Sequence, residues 1–183
     1  MTDEERQPVA IRKACNHQVS HVEIVKGATP DKLDIEVVAA RRDGVHTRLL
    51  SEVADEWYPH GGRIWLLRLS RESLTRFNDA KAARWLANQD GKDYGWWQAL
   101  WNRAKPLVWR ESFRELHCSE LGAGFLQAGM VLPGAANCSR ANPAHLVRLR
   151  LWSETYYELV RARELDAFNA VPRHCFVQHI NQE

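Results

Sequence analysis

The sequence lacks the short motifs that usually identify an enzyme class. It contains no CxxC pair, no HExxH and no GxSxG, and no Lys-Ser/Thr follows the glycines at positions 122, 124 and 129. The His117 and Glu120 pair has an H-x-x-E spacing, but the PCxxC half that a zinc deaminase requires is absent. These absences argue against zinc enzymes, hydrolases with a nucleophile elbow and P-loop enzymes. We therefore expect no metal site and no cofactor.

Long apolar runs are also missing. No segment approaches the ~20 apolar residues of a membrane span, and the N-terminus, "MTDEERQPVAIRKACNHQ", is too acidic and polar for a secretory signal. The four cysteines are widely spaced, which is untypical of a disulfide framework. These features predict a cytoplasmic protein with free thiols and no membrane partner.

The bulk composition is that of an ordinary globular protein. Of 183 residues, 45% are hydrophobic and 26% charged, the formal net charge is +2, and no polar linker divides the chain. We expect a single domain over residues 1–183. Residues 1–18 show no apolar periodicity, so we expect them to form a loosely ordered arm.

Alternating apolar and polar residues predict strands in the first third of the chain. "HVEIVK" from residue 21 and "KLDIEVVAA" from residue 32 both alternate, and Asp43–Gly44 suits a two-residue turn before a return strand from about Val45 to Val53. "RIWLLRLS" from residue 63 is apolar enough for a buried strand. Together these segments predict an antiparallel β-meander of about four strands.

Helical spacing dominates the predictions for the remainder. Ser70 can cap a first helix, Trp97 to Ala104 form the apolar face of a second, and Pro106 begins a third that reaches Cys118. Asn142 and Pro143 begin a helix expected to run to about Phe168, although "VRLRLW" within it also alternates like a strand.

Two further strands are predicted between and after these helices. One runs from about Phe125 to Leu132, although this Gly-rich segment could also be a loosely packed turn of helix. The other is "HCFVQHI" from residue 174, which is short enough to be an edge strand. The fold class is therefore predicted as α+β, with the N-terminal meander packed against a mainly helical C-terminal two thirds.

Candidate catalytic groups are few and unspecific. A thiol nucleophile could be built from Cys118 and a distant histidine, but four cysteines and eight histidines offer such pairings by chance. Glu111 and Glu115 lie one turn apart beside arginines, as on a solvated helix face. This pattern favours a protein without catalytic activity but leaves an enzyme open.

Arginine and tryptophan are the abundant residues that suggest a function. Arginine makes up 19 of the 25 basic residues, and "GWWQALWNRAKPLVWR" from residue 95 holds four of the eight tryptophans. Arginines bind phosphates and exposed tryptophans stack on bases. We therefore predict a non-enzymatic protein whose surface contacts nucleic acid, a nucleoprotein or an acidic protein partner. The predicted binding residues are Trp96, Arg103, Arg110, Arg148, Arg150, Arg161, Arg163, Arg41 and Arg42.

Two alternatives fit the same residues. In the first, the tryptophans line a pocket of a small-molecule enzyme or binder, and an arginine such as Arg63, Arg68 or Arg110 holds a substrate carboxylate. In the second, the chain is an interaction subunit of a larger assembly, with exposed tryptophans as its contact patch. By spacing alone, most of the tryptophans from residue 95 to residue 110 belong to a core, and Trp96 is the ambiguous one.

Overall fold

The structure is a computed structural model that describes residues 19–60, 62–95, 114–153, 157–159 and 175–181. The predicted arm over residues 1–18 and the predicted helix over residues 97–104 lie outside the described residues. Most of the helix predicted after Pro106 also lies outside them.

The first three strands form an antiparallel meander, as the alternating pattern predicts. They are β1 (Val19–Ala28), β2 (Ile35–Arg41) and β3 (Gly44–Leu49). Arg42 and Asp43 make the two-residue turn, one residue earlier than expected, because Arg41 pairs with Gly44. Gly44 has a φ of 111°, and a Cβ there would lie 2.8 Å from the Lys92 carbonyl oxygen, so this position requires glycine.

The return strand ends earlier than predicted, at Leu49, and a helix follows. Helix α1 (Leu50–Trp57) buries Leu50, Val53 and Ala54 on one face. These residues have the i, i+3, i+4 spacing of a helix, which a continuous strand could not place on one face. A 3₁₀ turn (Tyr58–His60) then leads to strand β4 (Gly62–Arg68).

The fourth strand does not extend the meander. The main sheet has six strands in the order β3-β2-β1-β8-β4-β7, where β7 is Tyr157–Leu159 and β8 is Cys175–Asn181. Strand β8 pairs with β1 and with β4, both antiparallel. The predicted last strand therefore exists, but it is central and not at an edge, because its backbone groups pair on both sides.

The helices after β4 begin with the predicted cap. The Ser70 side chain accepts a hydrogen bond from the backbone N–H of Ser73 at the start of α2 (Arg71–Arg76), and α3 (Asp79–Ala87) follows. A short parallel pair joins β5 (Asp93–Tyr94) to β6 (Glu115–Leu116). Residues 115 and 116 are thus a strand, where the prediction had a helix.

Helix α4 (Cys118–Ala128) replaces the strand predicted from about Phe125 to Leu132. Every residue from Cys118 to Leu126 in it is buried, including Gly122 and Gly124. Glycine lowers intrinsic helix propensity, but packing on all sides of a buried helix outweighs that preference.

Helix α5 (Pro143–Val147) begins as predicted and ends far before Phe168. The Asn142 side chain accepts a hydrogen bond from the backbone N–H of His145, but Arg148 already forms the C-terminal cap. The chain then pairs with the end of β4, where Ser70 N–H donates to Leu151 O at 2.7 Å and Ser153 N–H donates to Arg68 O at 2.8 Å. Within "VRLRLW", Val147 ends helix α5, residues 148–151 form a turn and Trp152 makes an isolated bridge with Leu69. The segment is therefore neither the long helix nor the strand that the sequence suggested.

The fold is mixed α+β, with a hydrophobic cluster on each face of the main sheet. One cluster joins Val25, Ile35, Val37, Ile64 and Leu66 to helix α1. The larger cluster joins Val22, Ile24, Val38 and Leu67 to residues of α3, α4 and α5. A strictly helical C-terminal two thirds is not confirmed, because β7 and β8 belong to the main sheet. None of the helices within the described ranges is long and apolar enough to cross a membrane.

Candidate active site

Cys118 occupies the first position of helix α4, directly after strand β6. His117 caps this helix, because its Nδ1 accepts a hydrogen bond from the Glu120 backbone N–H at 3.2 Å. The Ser119 hydroxyl donates to the Ala141 carbonyl at 3.0 Å and ties the helix start to the loop before α5. A helix N-terminus favours an anion at this position, so the backbone stabilises Cys118 as a thiolate.

His21 of strand β1 interacts with Cys118 of helix α4, and each group shifts the pKa of the other. Burial by itself lowers the pKa of His21, but the negative charge of Cys118 and hydrogen bonds with Cys118 and Glu23 raise it to about 9, against the opposing charge of Arg41. The folded protein therefore favours the imidazolium form at neutral pH.

The same contact acts in the opposite direction on the thiol. Burial raises the pKa of Cys118, but the charge and hydrogen bond of His21, with backbone hydrogen bonds from Val22 and Ser119, lower it below its ordinary value. The contact therefore favours the thiolate of Cys118, which is the nucleophilic form of cysteine.

Glu23 holds the other side of the imidazole ring. Its Oε1 lies 3.4 Å from His21 Nε2, and the carboxylate is fully buried. Nε2 is thus the ring nitrogen that faces this carboxylate. Cys118, His21 and Glu23 thus stand in the order nucleophile, base and orienting carboxylate.

Arg41 continues this arrangement across the sheet to helix α1. Its Nη2 lies 2.6 Å and its Nε 3.2 Å from Glu23 Oε1, while Nη1 lies 2.7 Å from both oxygens of Glu56. Arg48 donates to the same Glu56 at 2.8 Å. Charges of alternating sign run from the buried thiol to the half-exposed Glu56.

Glu56 is ionised in this arrangement. Burial raises the pKa of its carboxyl, but the charge of Arg41 and hydrogen bonds from Arg48 and Arg41 lower it below its usual range. A second buried histidine and carboxylate, His117 and Glu120, lie beside the thiol, with 3.7 Å between Nε2 and Oε2. Across the described part of the chain, no three His, Cys, Asp or Glu side chains form a group that could hold a metal ion.

The predicted binding residues lie in separate places. Arg41 is mostly buried and bound to Glu23 and Glu56, so its charge is neutralised inside the protein. Arg42 is exposed in the β2–β3 turn, and Arg148 and Arg150 are exposed after helix α5. The remaining predicted residues, Trp96, Arg103, Arg110, Arg161 and Arg163, lie outside the described residues.

The sequence contains one local signal for this site. In "HCSE", Glu120 follows His117 at the three-residue spacing of a capping box, with histidine in the place of the usual serine or threonine. That reading would have placed Cys118 at the N-terminus of a helix. The partner histidine had no local signal, because only the topology brings β1 beside α4.

No protein-family model, curated protein or solved structure matches the chain. Its function is therefore inferred from the geometry of the site.

Proposed function

We propose that this protein is a cysteine-nucleophile enzyme that catalyses acyl transfer or hydrolysis at a carbonyl carbon. Two observations carry the proposal: Cys118 is the first residue of helix α4, and the buried Glu23 carboxylate lies 3.4 Å from the His21 imidazole. The raised pKa of His21 and the lowered pKa of Cys118, each caused in part by the other group, support it. This conclusion departs from the non-enzymatic function that the sequence suggests. It is closer to the alternative of a small-molecule enzyme.

In the first half of the reaction, the Cys118 thiolate attacks the substrate carbonyl and forms a carbon–sulfur bond. The His21 imidazolium then gives its proton to the leaving group as the bond between that group and the carbonyl carbon breaks. The products are a thioester on Cys118, the released alcohol, thiol or amine, and a neutral His21.

In the second half, neutral His21 takes a proton from water or from an acceptor alcohol or amine. The activated acceptor attacks the thioester, the carbon–sulfur bond breaks, and the thiolate and imidazolium are restored. Glu23 keeps the imidazole oriented in both halves and stabilises its charged form. The substrate class is therefore an ester, thioester or amide.

Turnover of activated esters and thioesters by the purified chain tests the proposal. We expect p-nitrophenyl acetate and an acyl thioester to be hydrolysed, and Cys118→Ala and His21→Ala to lower kcat/KM by on the order of 10³-fold or more, because nucleophile and base act as a unit. The control is Cys138→Ala, which removes another buried cysteine.

Two results would contradict the proposal. In one, Cys118→Ala hydrolyses these substrates as well as the parent chain. In the other, Cys118 reacts with iodoacetamide no faster than Cys138 at neutral pH. Circular dichroism of each variant separates loss of the nucleophile from loss of the fold.

Nucleic-acid, nucleoprotein or acidic-partner binding stays a prediction. The exposed Arg42, Arg148 and Arg150 are compatible with it, but they lie on separate elements. Binding to mixed nucleic acid that falls steeply with salt concentration would support it.

A further inference from the structure

We infer that Arg41 is a positioning residue that sets the orientation and charge of the Cys118–His21 pair through Glu23. The inference rests on the proposed function, because it assigns to that site a further residue that does not itself touch Cys118. Arg41 reaches the site from strand β2 and also binds Glu56 of helix α1.

Two N–H groups of Arg41 and the Nε2 atom of His21 lie close to one oxygen of Glu23. Arg41 Nη2 lies at 2.6 Å, Arg41 Nε at 3.2 Å and His21 Nε2 at 3.4 Å from Oε1. The two arginine contacts are the shorter ones, so the guanidinium dominates the position of this carboxylate. The contact between Glu23 and the imidazole of His21 is the longest of the three.

The consequences of removing Arg41 follow from burial. Glu23 is fully buried and the Arg41 side chain is only 15% exposed, so little water can replace the lost guanidinium. The carboxylate would keep its contact with His21 and draw the imidazolium closer. The thiolate would then lose part of its own partner, and its protonated form would be favoured.

Further ionisable groups belong to the elements that carry the pair. His117 and Glu120 lie on either side of Cys118 in the sequence, with 3.7 Å between Nε2 and Oε2, and His179 of β8 pairs with His21 in the sheet register. Glu56 binds the far end of Arg41 and also binds Arg48. Arg41 thus links the carboxylate beside His21 to the half-exposed Glu56 of helix α1.

The test is the pH dependence of Cys118 alkylation in the full chain. Iodoacetamide labelling is followed by peptide mass spectrometry between pH 4 and 10 for the parent, Arg41→Met and Arg41→Lys. We expect the acidic limb of Arg41→Met to move up by about one pH unit, which is an approximately tenfold slower reaction on that limb. Arg41→Lys should restore part of the shift, because it returns the charge without the fork.

The matched control is Lys26→Met, which removes the cation of the Lys26–Glu36 surface pair between the same two strands, 3.1 Å apart. We expect its profile to match the parent. A folded Arg41→Met variant with the parent profile would overturn the inference, and so would a shift of equal size in Lys26→Met.

A second variant covers the case in which Arg41→Met fails to fold. Glu56→Gln leaves Glu23 and Arg41 in place but weakens the anchor of the guanidinium, so we expect a smaller shift in the same direction. An unchanged profile in that variant then overturns the inference. The parent chain separates the two proposals, because slow labelling of its Cys118 contradicts the proposed function, whereas fast labelling that no Arg41 or Glu56 variant alters contradicts only the role of Arg41.

Discussion

The two buried cysteines, Cys118 and Cys138, differ in their partners far more than in their burial. Cys118 is 3% exposed and Cys138 is 1% exposed, and each is the first residue of a helical segment. Cys118 faces an imidazolium, whereas the Cys138 sulfur lies 3.9 Å from the Ala136 carbonyl, an acceptor for a neutral thiol. The two thiols therefore differ in the charge of their partners and not in their burial, and we expect the thiol with the cationic partner to be the more reactive one.

Selective alkylation should give the largest contrast between the two cysteines. At pH 6, an ordinary thiol is less than about 1% thiolate, whereas the lowered pKa of Cys118 gives it a larger thiolate fraction. We expect iodoacetamide to modify Cys118 many times faster than Cys138, as read from tryptic peptides. Equal rates would remove the distinction.

Replacing Glu23 by glutamine tests whether the charge of Glu23 is needed to stabilise the imidazolium of His21. The amide keeps the size of the side chain but removes the charge that stabilises the imidazolium. We expect kcat for p-nitrophenyl acetate to fall on the order of 10²-fold, with a small change in KM. If kcat stays unchanged, Glu23 is only a structural partner of Arg41.

The pH profile of hydrolysis should show two limbs that belong to the pair. The pKa of Cys118 is lowered, so activity should already appear below the ordinary thiol range as the thiolate forms. The pKa of His21 is raised to about 9, so the imidazolium, and with it the proton for the leaving group, is present below that pH and lost above it. Stopped assays of kcat/KM from pH 4 to 10 measure both limbs, and a single rising limb up to pH 10 would contradict the pair.

Truncating Cys138 should have the smallest effect. Cys138→Ala leaves a cavity of about one sulfur atom in the larger cluster, which costs about 1 kcal/mol of the free energy of unfolding. We expect urea denaturation to detect this loss while kcat/KM stays at the parent value. A large loss of activity with intact fold would assign Cys138 a role that the present account lacks.

The sequence predicts elements whose own side chains decide their structure. Alternation identifies β1 and β2, an apolar run identifies β4, and the capping residues Ser70 and Asn142 mark two helix starts. Errors arise where packing decides, since α4 is helical despite Gly122 and Gly124, and β8 is central because two distant strands pair with it.

The site was harder to predict than the fold for the same reason. Cys118 has a local signal in its capping pattern, but His21 and Arg41 belong to strands near the other end of the chain. No periodicity indicates which histidine meets which thiol. Arg41 shows the limit most clearly, because a residue predicted to contact a partner is mostly buried and bound to the carboxylates of Glu23 and Glu56.

The most direct test of the central claim is to trap the acyl-enzyme. The chain is mixed with p-nitrophenyl acetate, quenched in acid within the first turnover, and digested for mass spectrometry. We expect an acetyl group on Cys118. This acetylation should be absent in Cys118→Ala and reduced in His21→Ala. Hydrolysis without any acetylated Cys118, or acetylation that appears equally on Cys138, would contradict it.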